Sequence, residues 1–235
     1  MRGVFITGTD TDVGKTSVAA GIAWSMRKKG VDIGVMKPFA TGDRKYSSQY
    51  RSVDVSMLAK AADTKDPDHE LNPFFSVIPT APYTVTMIER SKTVDLSHIY
   101  RSYLKLASKH KFMVVEGIGG IFVPLTKKKC VADFATQINL PVIIVARSQI
   151  GMVNQVLLTL RACYNYHLMV MGIIINHVSP RKEPFESILI KTIQQVEDIQ
   201  ILATLPFLEK INPEIVALNL EKNTKFNMAI YPSTH

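Results

Sequence analysis

Cysteine is scarce in this chain. Two residues, Cys130 and Cys163, occur among 235, too few and too scattered for a disulfide framework or a thiolate zinc site. The six histidines show no paired ligand spacing. No apolar run approaches the roughly 20 residues that a membrane-spanning helix needs. The first residues, MRGVFITG, lead straight into a strand-like segment, without the charged start and long apolar core of a signal peptide. The expected location is the cytoplasm. Repeats, low-complexity tracts and linkers are also missing, so residues 1–235 are expected to form one domain, with the last few, YPSTH, frayed. A basic surplus is present: Lys and Arg outnumber Asp and Glu by 28 to 20, a formal charge of +8. The basic residues are nevertheless spread along the chain. Their one tight run, Lys127-Lys128-Lys129, reads as a solvated loop, and aromatics do not alternate with basics as a base-stacking platform requires. A small anionic substrate accounts for the charge, with neither nucleic acid nor membrane as partner.

Apolar runs alternate with helical patterns. Strand-like segments fall at 3–8, 31–38, 111–117, 140–147, 170–178 and 199–207. The runs LPVIIVAR and VMGIIINHV are the most continuous, β-branched and apolar, which suits central parallel strands buried on both faces. Helical periodicity falls at 15–29, Val53–Ala62, Leu96–Lys109, Val131–Ile138, 152–164 and 183–197. This alternation predicts an α/β fold with a doubly wound, parallel central sheet flanked by helices. Residues 64–91 carry four prolines and little periodicity and read as an irregular excursion beside a site.

The chemistry-bearing stretch is GTDTDVGKTS, Gly8 to Ser17. It follows a strand and opens a helix, the context that makes a glycine-rich loop a phosphate site. It is one residue longer than the usual loop: five residues separate Gly8 from Gly14, and two of them, Asp10 and Asp12, are acidic. Lys15 is placed to reach terminal phosphates and the Thr16 hydroxyl to ligate Mg²⁺. Asp10 and Asp12 also suit turn and cap positions, and no calcium-loop ligand series follows them.

Other candidates sit at the carboxyl ends of strands, where open α/β sheets bind ligands. Lys37, in VMKPFATG, ends the second strand before a proline. Paired with Lys15, it would neutralise charge on a transferring phosphoryl group. Glu116, in MVVEGIGG, ends an apolar strand in an acid, suited to Mg²⁺ or its waters. Asp54 lies in the first turn of its helix, where an acid complements the dipole. Asn176 ends another strand and offers a donor and an acceptor to an adenine edge. The helix start at Gly151, Met152, Val153 and Asn154 is a candidate seat for a carboxylate.

These residues resemble the dethiobiotin synthetase family along nearly the whole chain, from FITGTDTDVGKT through KPFATG, VVEGIGG, LPVIIVA and GMVNQ to INHV and LPFL. The over-long loop together with the Lys-Pro strand end carries the likeness. It implies a P-loop NTPase-like three-layer fold and an ATP- and Mg²⁺-dependent ring closure of 7,8-diaminopelargonic acid with CO₂ or bicarbonate. By the same likeness, Lys37 and Lys15 are the active-site lysines, and Thr16, Asp54 and Glu116 hold Mg²⁺. ATP is held by Asp12, Val13, Gly14, Lys15, Thr16 and Ser17, by Asp54, by Glu116, Gly117, Ile118 and Gly119, and around adenine by Asn176, His177, Pro206, Phe207 and Leu208. Thr11 and Thr41 face the diamine and its carbamate. Gly151, Val153 and Asn154 seat the substrate carboxylate across a homodimer. The chain departs from the pattern at Tyr83, where a histidine is expected, and at Arg147 and Gln149.

Two other readings share this fold. A cobyrinate-amidase-type synthetase carries a glutaminase domain for which the chain has no room. A partitioning or septum-positioning ATPase carries an extra early lysine in the loop, where this sequence has Thr9-Asp10-Thr11.

Overall fold

The computed structural model describes residues 2–42, 46–181 and 184–231. Its centre is a six-stranded sheet. β1 (Gly3–Gly8), β5 (Phe112–Gly120), β6 (Val142–Arg147) and β7 (Val170–Asn176) form the middle, with β2 (Ile33–Met36) and β8 (Ile201–Leu205) at the edges. The spatial order is β2-β5-β1-β6-β7-β8, and the strands pair in parallel. β1 is buried along its whole length and β6 in all but its last residue. That burial explains why these strands read as unbroken apolar runs rather than alternating ones. Each fully buried Ile or Val contributes about 1.5–3 kcal/mol of transfer free energy.

Helices flank this sheet: α1 (Lys15–Lys28), α2 (Val53–Ala62), α5 (Leu96–Lys109), α6 (Val131–Ile138), α7 (Met152–Asn165) and α8 (Glu186–Val196). They match the periodic segments read from sequence. The expected start of α8 at 183, and residues 232–235 of the tail expected to fray from 231, lie outside the described residues; Tyr231 itself is held, its N–H donating to the Asn227 carbonyl at 2.8 Å. α1 buries Val18, Ala19, Ile22, Ala23 and Met26, the i, i+4, i+8 stripe and its neighbours. It ends where Gly30, at φ 79°, lets the chain turn away.

Six elements among the described residues have no counterpart in the segments read from sequence, four short ones and the two that follow β8. Residues 64–91 are not irregular throughout: they contain α3 (Asp68–Leu71), β4 (Phe74–Ser76) and α4 (Pro82–Ile88). β4 pairs in parallel with β3 (Phe39–Thr41), forming a second, two-stranded sheet. These pieces span three to seven residues each, too short for a period to show. Beyond β8, α9 (Pro213–Glu221) and α10 (Thr224–Ile230) close the structure. α9 starts at a proline and is capped by Asn212, whose side chain accepts from the Glu214 N–H at 2.8 Å. α1 and α9 pack closely, because a Cβ at Gly21 would lie 2.6 Å from Val216.

One strand end also moves. Glu116 is not the last residue of its strand. β5 continues through Gly117, Ile118 and Gly119 to Gly120. Register slips there: Ile6 faces Glu116, but Gly8 faces Gly120. Gly119 takes φ 56° within this bulge, which glycine adopts without a Cβ penalty.

Candidate active site

The loop between β1 and α1 is built by backbone conformations that few residues accept. Asp12 has φ 54° and Gly14, the residue before α1, has φ 93°. A Cβ at Gly14 would stand 2.1 Å from Asn176 Nδ2. Asn176, at the end of β7, donates from that nitrogen to the Val13 carbonyl at 2.9 Å. The loop is therefore tied to β7 across the sheet. Lys15 is buried, and its ammonium donates to the Asp10 carbonyl at 2.6 Å. Its pKa is lowered to about 8, first by burial and then by the neighbouring charge of Lys37.

Lys37 follows β2 and is 5% exposed, while Glu116 from β5 is 0% exposed. The Lys37 ammonium pairs with Glu116 and, at 2.8 Å, with Asp54 Oδ2 from the first turn of α2. Burial acts to lower the Lys37 pKa, but the Glu116 and Asp54 carboxylates outweigh it and hold the ammonium well above the ordinary lysine value. Asp54 is pulled below the ordinary carboxylate value: burial opposes this, and Lys37 prevails. Burial, with Asp54 adding to it, raises Glu116 against the opposing pull of Lys37.

The Thr16 hydroxyl donates to Glu116 Oε1 at 2.8 Å. The other oxygen, Glu116 Oε2, is buried and has no hydrogen-bond partner among the described residues. A buried oxygen left in this state calls for a partner from outside the chain. Two carboxylates and a hydroxyl at the foot of a phosphate loop are the oxygen donors a hard divalent cation prefers.

These groups line one cleft of about 610 Å³, a volume typical of small-molecule sites. The loop contributes Thr11, Asp12, Gly14, Lys15, Thr16 and Ser17; Lys37 and Thr41 come from the β2–β3 region. Asp54, Glu116, Ile118 and Gly119 add the next wall, and Asn176, His177, Pro206, Phe207 and Leu208 the far one. Val13 is buried behind the loop, and Val13 and Gly117 do not line the cleft. Gly151, Val153 and Asn154, at the start of α7, are not among its lining residues either. The cleft also includes Val53, Met57, Glu209, Ile211, Val216 and Asn219. Sequence reasoning missed these, the last two because α9 was not recognised. His177 is held by Glu186, with Nε2 to Oε1 at 2.7 Å, and the Ser148 hydroxyl donates to the same carboxylate oxygen.

A family profile described as an AAA domain matches residues 2–215. Among characterised proteins, the ATP-dependent dethiobiotin synthetase BioD of Nitrosopumilus maritimus is 37% identical over 223 residues, covering 95% of this chain and 96% of that protein. The enzyme of the same name from Bacillus subtilis strain 168 is 34% identical and covers 92% of each chain. The chain belongs to the dethiobiotin synthetase family. That family sits on a fold shared more widely. The septum site-determining protein MinD of Pyrococcus horikoshii, solved with Mg-ADP, superposes with a TM-score of 0.57 at 15% identity, covering 97% of this chain and 92% of that one. A ParA family ATPase of Chlorobium tepidum gives 0.55 at 16% identity, covering 99% and 94%. At such identities the likeness concerns the fold alone, so the sheet order and loop position are common property. In this dethiobiotin synthetase chain five residues separate Gly8 from Gly14 in the loop, and the buried Lys37 lines the same cleft.

Proposed function

We propose that this chain is an ATP-dependent dethiobiotin synthetase, a ligase that closes a ureido ring by forming C–N bonds in a single domain. The observation that carries this reading is Lys37, a second buried lysine held by Asp54 and Glu116 beside the phosphate loop. A partitioning ATPase places its extra lysine early in the loop, where this chain has Thr9-Asp10-Thr11; here the second lysine comes from the end of β2, and a ligase that joins a carbamate to a phosphoryl group handles two anions at once. Two cations at one cleft floor serve that task.

The reaction has three steps. One amine of 7,8-diaminopelargonic acid adds to CO₂ and loses a proton, giving a carbamate. A carbamate oxygen attacks the γ-phosphorus of ATP, releasing ADP and forming a carbamic-phosphoric anhydride. The second amine then attacks the carbonyl carbon and expels phosphate. Backbone N–H groups from Asp12 to Ser17 bind the ATP phosphates at the start of α1. Lys15 leaves the Asp10 carbonyl to bridge phosphate and carbamate. Lys37 stabilises the charge that develops as the phosphoryl group moves. Thr11 and Thr41, at the cleft mouth, orient the diamine and its carbamate, and the wall of Asn176, His177, Pro206, Phe207 and Leu208 receives adenine. Thr16, Asp54 and Glu116 would hold Mg²⁺, whose charge offsets that of the phosphates, and the unpartnered Glu116 Oε2 supports this donor set.

The start of α7 stands apart from the cleft of its own chain. This supports a homodimer in which Gly151, Val153 and Asn154 seat the carboxylate tail of the substrate bound by the other copy. The two free cysteines fit a reducing cytoplasm. Among the described residues no helix is long and apolar enough to cross a membrane.

The test is dethiobiotin formation from 7,8-diaminopelargonate, bicarbonate, ATP and Mg²⁺, followed by mass spectrometry. ATP turnover that depends on the diamine is the expected result. Turnover indifferent to the diamine and stimulated by DNA or lipid would replace this reading with that of a partitioning ATPase.

A further inference from the structure

Lys37 is aimed by the peptide that carries it, and that peptide is held on both sides. Its N–H donates to the Leu71 carbonyl at 2.9 Å. Its carbonyl accepts from Asn72 Nδ2 at 2.7 Å. The same nitrogen donates to the Phe74 carbonyl at 3.1 Å, so both amide hydrogens are engaged and the orientation of the amide is fixed. Asn72 is 0% exposed. It therefore stitches the end of β2 to the start of β4 at the one residue whose ammonium reaches Glu116 and Asp54.

Asn72 is itself anchored. Its N–H donates to the Asp68 carbonyl at 2.7 Å, and its carbonyl accepts from the Arg51 guanidinium. Arg51 also pairs with the Asp68 carboxylate, and the Arg51 N–H donates to Asp68 Oδ1 at 3.1 Å. α3, a helix of four residues, is too short to hold its own shape. Arg51 and Asn72 fix it from either end. None of these residues lines the cleft.

We propose that Asn72 is a positioning residue for phosphoryl transfer, acting through the Lys37 peptide. The reaction it serves rests on the dethiobiotin synthetase reading; the geometry does not. The phosphate loop hangs from β1 and is tied to β7, whereas Lys37 hangs from β2 and is tied to α3 and β4. Loosening Asn72 therefore disturbs the ammonium that acts in the transition state and leaves the nucleotide seat in place. A misplacement of about 1 Å costs on the order of 100-fold in rate.

Asn72→Asp keeps the shape but sets a carboxylate oxygen against the carbonyls of Lys37 and Phe74; Asn72→Ala removes the amide. In the full chain, either variant is expected to lower kcat by about 10- to 100-fold with KM for ATP within about threefold of wild type. In a Lys37→Ala background, Asn72→Ala is expected to cost less than about threefold more, because both changes act on one group. A structural role would give independent, multiplicative losses, and that result overturns the proposal, as does an unchanged kcat. Should the Asn72 variants fail to fold, Arg51→Ala frees the Asn72 backbone carbonyl from a half-exposed position and is expected to move kcat in the same direction, about three- to tenfold; an unchanged kcat there overturns the proposal. Hydrogen exchange gives a readout free of activity: the peptide covering 37–41 exchanges faster in Asn72→Ala while β1 stays protected. A wild-type protein that makes no dethiobiotin rejects the functional reading alone, and unchanged exchange at 37–41 rejects this one.

Discussion

The residue that distinguishes this cleft is Lys37, and its setting predicts what removing it does. The ammonium is buried against two carboxylates, so it arrives with its desolvation cost offset by pairing. Lys37→Ala is expected to lower kcat for dethiobiotin formation by roughly 100- to 1,000-fold, the range for losing one preorganised charge in a transition state. ADP affinity, measured by calorimetry, is expected to stay within about threefold, since the loop proposed to grip the phosphates is untouched. Turnover near the wild-type rate would remove Lys37 from the mechanism. Glu116 needs more than Lys37: its Oε1 accepts from Lys37 and Thr16, while its Oε2 has no partner among the described residues. An amide in its place would supply only a weak, neutral ligand.

At the scale of elements, the loop and the edge of the sheet each carry ties between segments distant in sequence. Gly14 combines φ 93° with an Asn176 nitrogen 2.1 Å from where its Cβ would stand. Gly14→Ala is therefore expected to weaken ADP binding by at least tenfold and to lower Tm. Adding Asn176→Ala removes the clash but leaves the backbone strain and also removes the bond to the Val13 carbonyl, so Tm recovers at most in part. Full recovery of binding would mean that φ is unimportant. At the other end of the sheet, His110 follows α5 and bridges Asp32 at 2.8 Å and Asp66 at 2.7 Å. Lys109 shares Asp66 at 2.9 Å and reaches Glu70 at 2.8 Å. Burial acts to lower the His110 pKa, but its bonds to Asp32 and Asp66 prevail and raise it above 6.5. A raised folded value means that the tie stabilises fully below pH 6.5 and fades as pH climbs through the folded pKa. The Tm gap between wild type and His110→Gln is expected to be widest at pH 6 and to narrow towards pH 9. A gap that grows with pH would contradict the tie.

For the whole molecule, sheet and cleft differ in how legible they are from sequence. Strands buried on both faces leave continuous β-branched runs, and long helices leave a period, so β6, β7, α1 and α5 are plain in the residues. The positions of the loop and of Lys37 are legible too, because they follow the apolar runs of β1 and β2; Glu116 is legible as the acid after such a run, although its strand continues to Gly120. Short elements are not: α3, β3 and β4 hold their shape through contacts distant in sequence, and Asn72 in the sequence LNPF reads as a mere turn. The proposed carboxylate seat at the start of α7 is the remaining case. Ile150, just before α7, is 84% exposed, and the seat beside it is absent from the cleft of its own chain. A large apolar residue so exposed next to a binding element suits contact with another copy. Sedimentation is expected to show a dimer for wild type. Ile150→Glu is expected to shift it towards monomer and to raise KM for the diamine by tenfold or more, with KM for ATP nearly unchanged, since the wall proposed to receive ATP lies within one chain. A monomeric wild type with full activity would place the carboxylate seat elsewhere in the same chain.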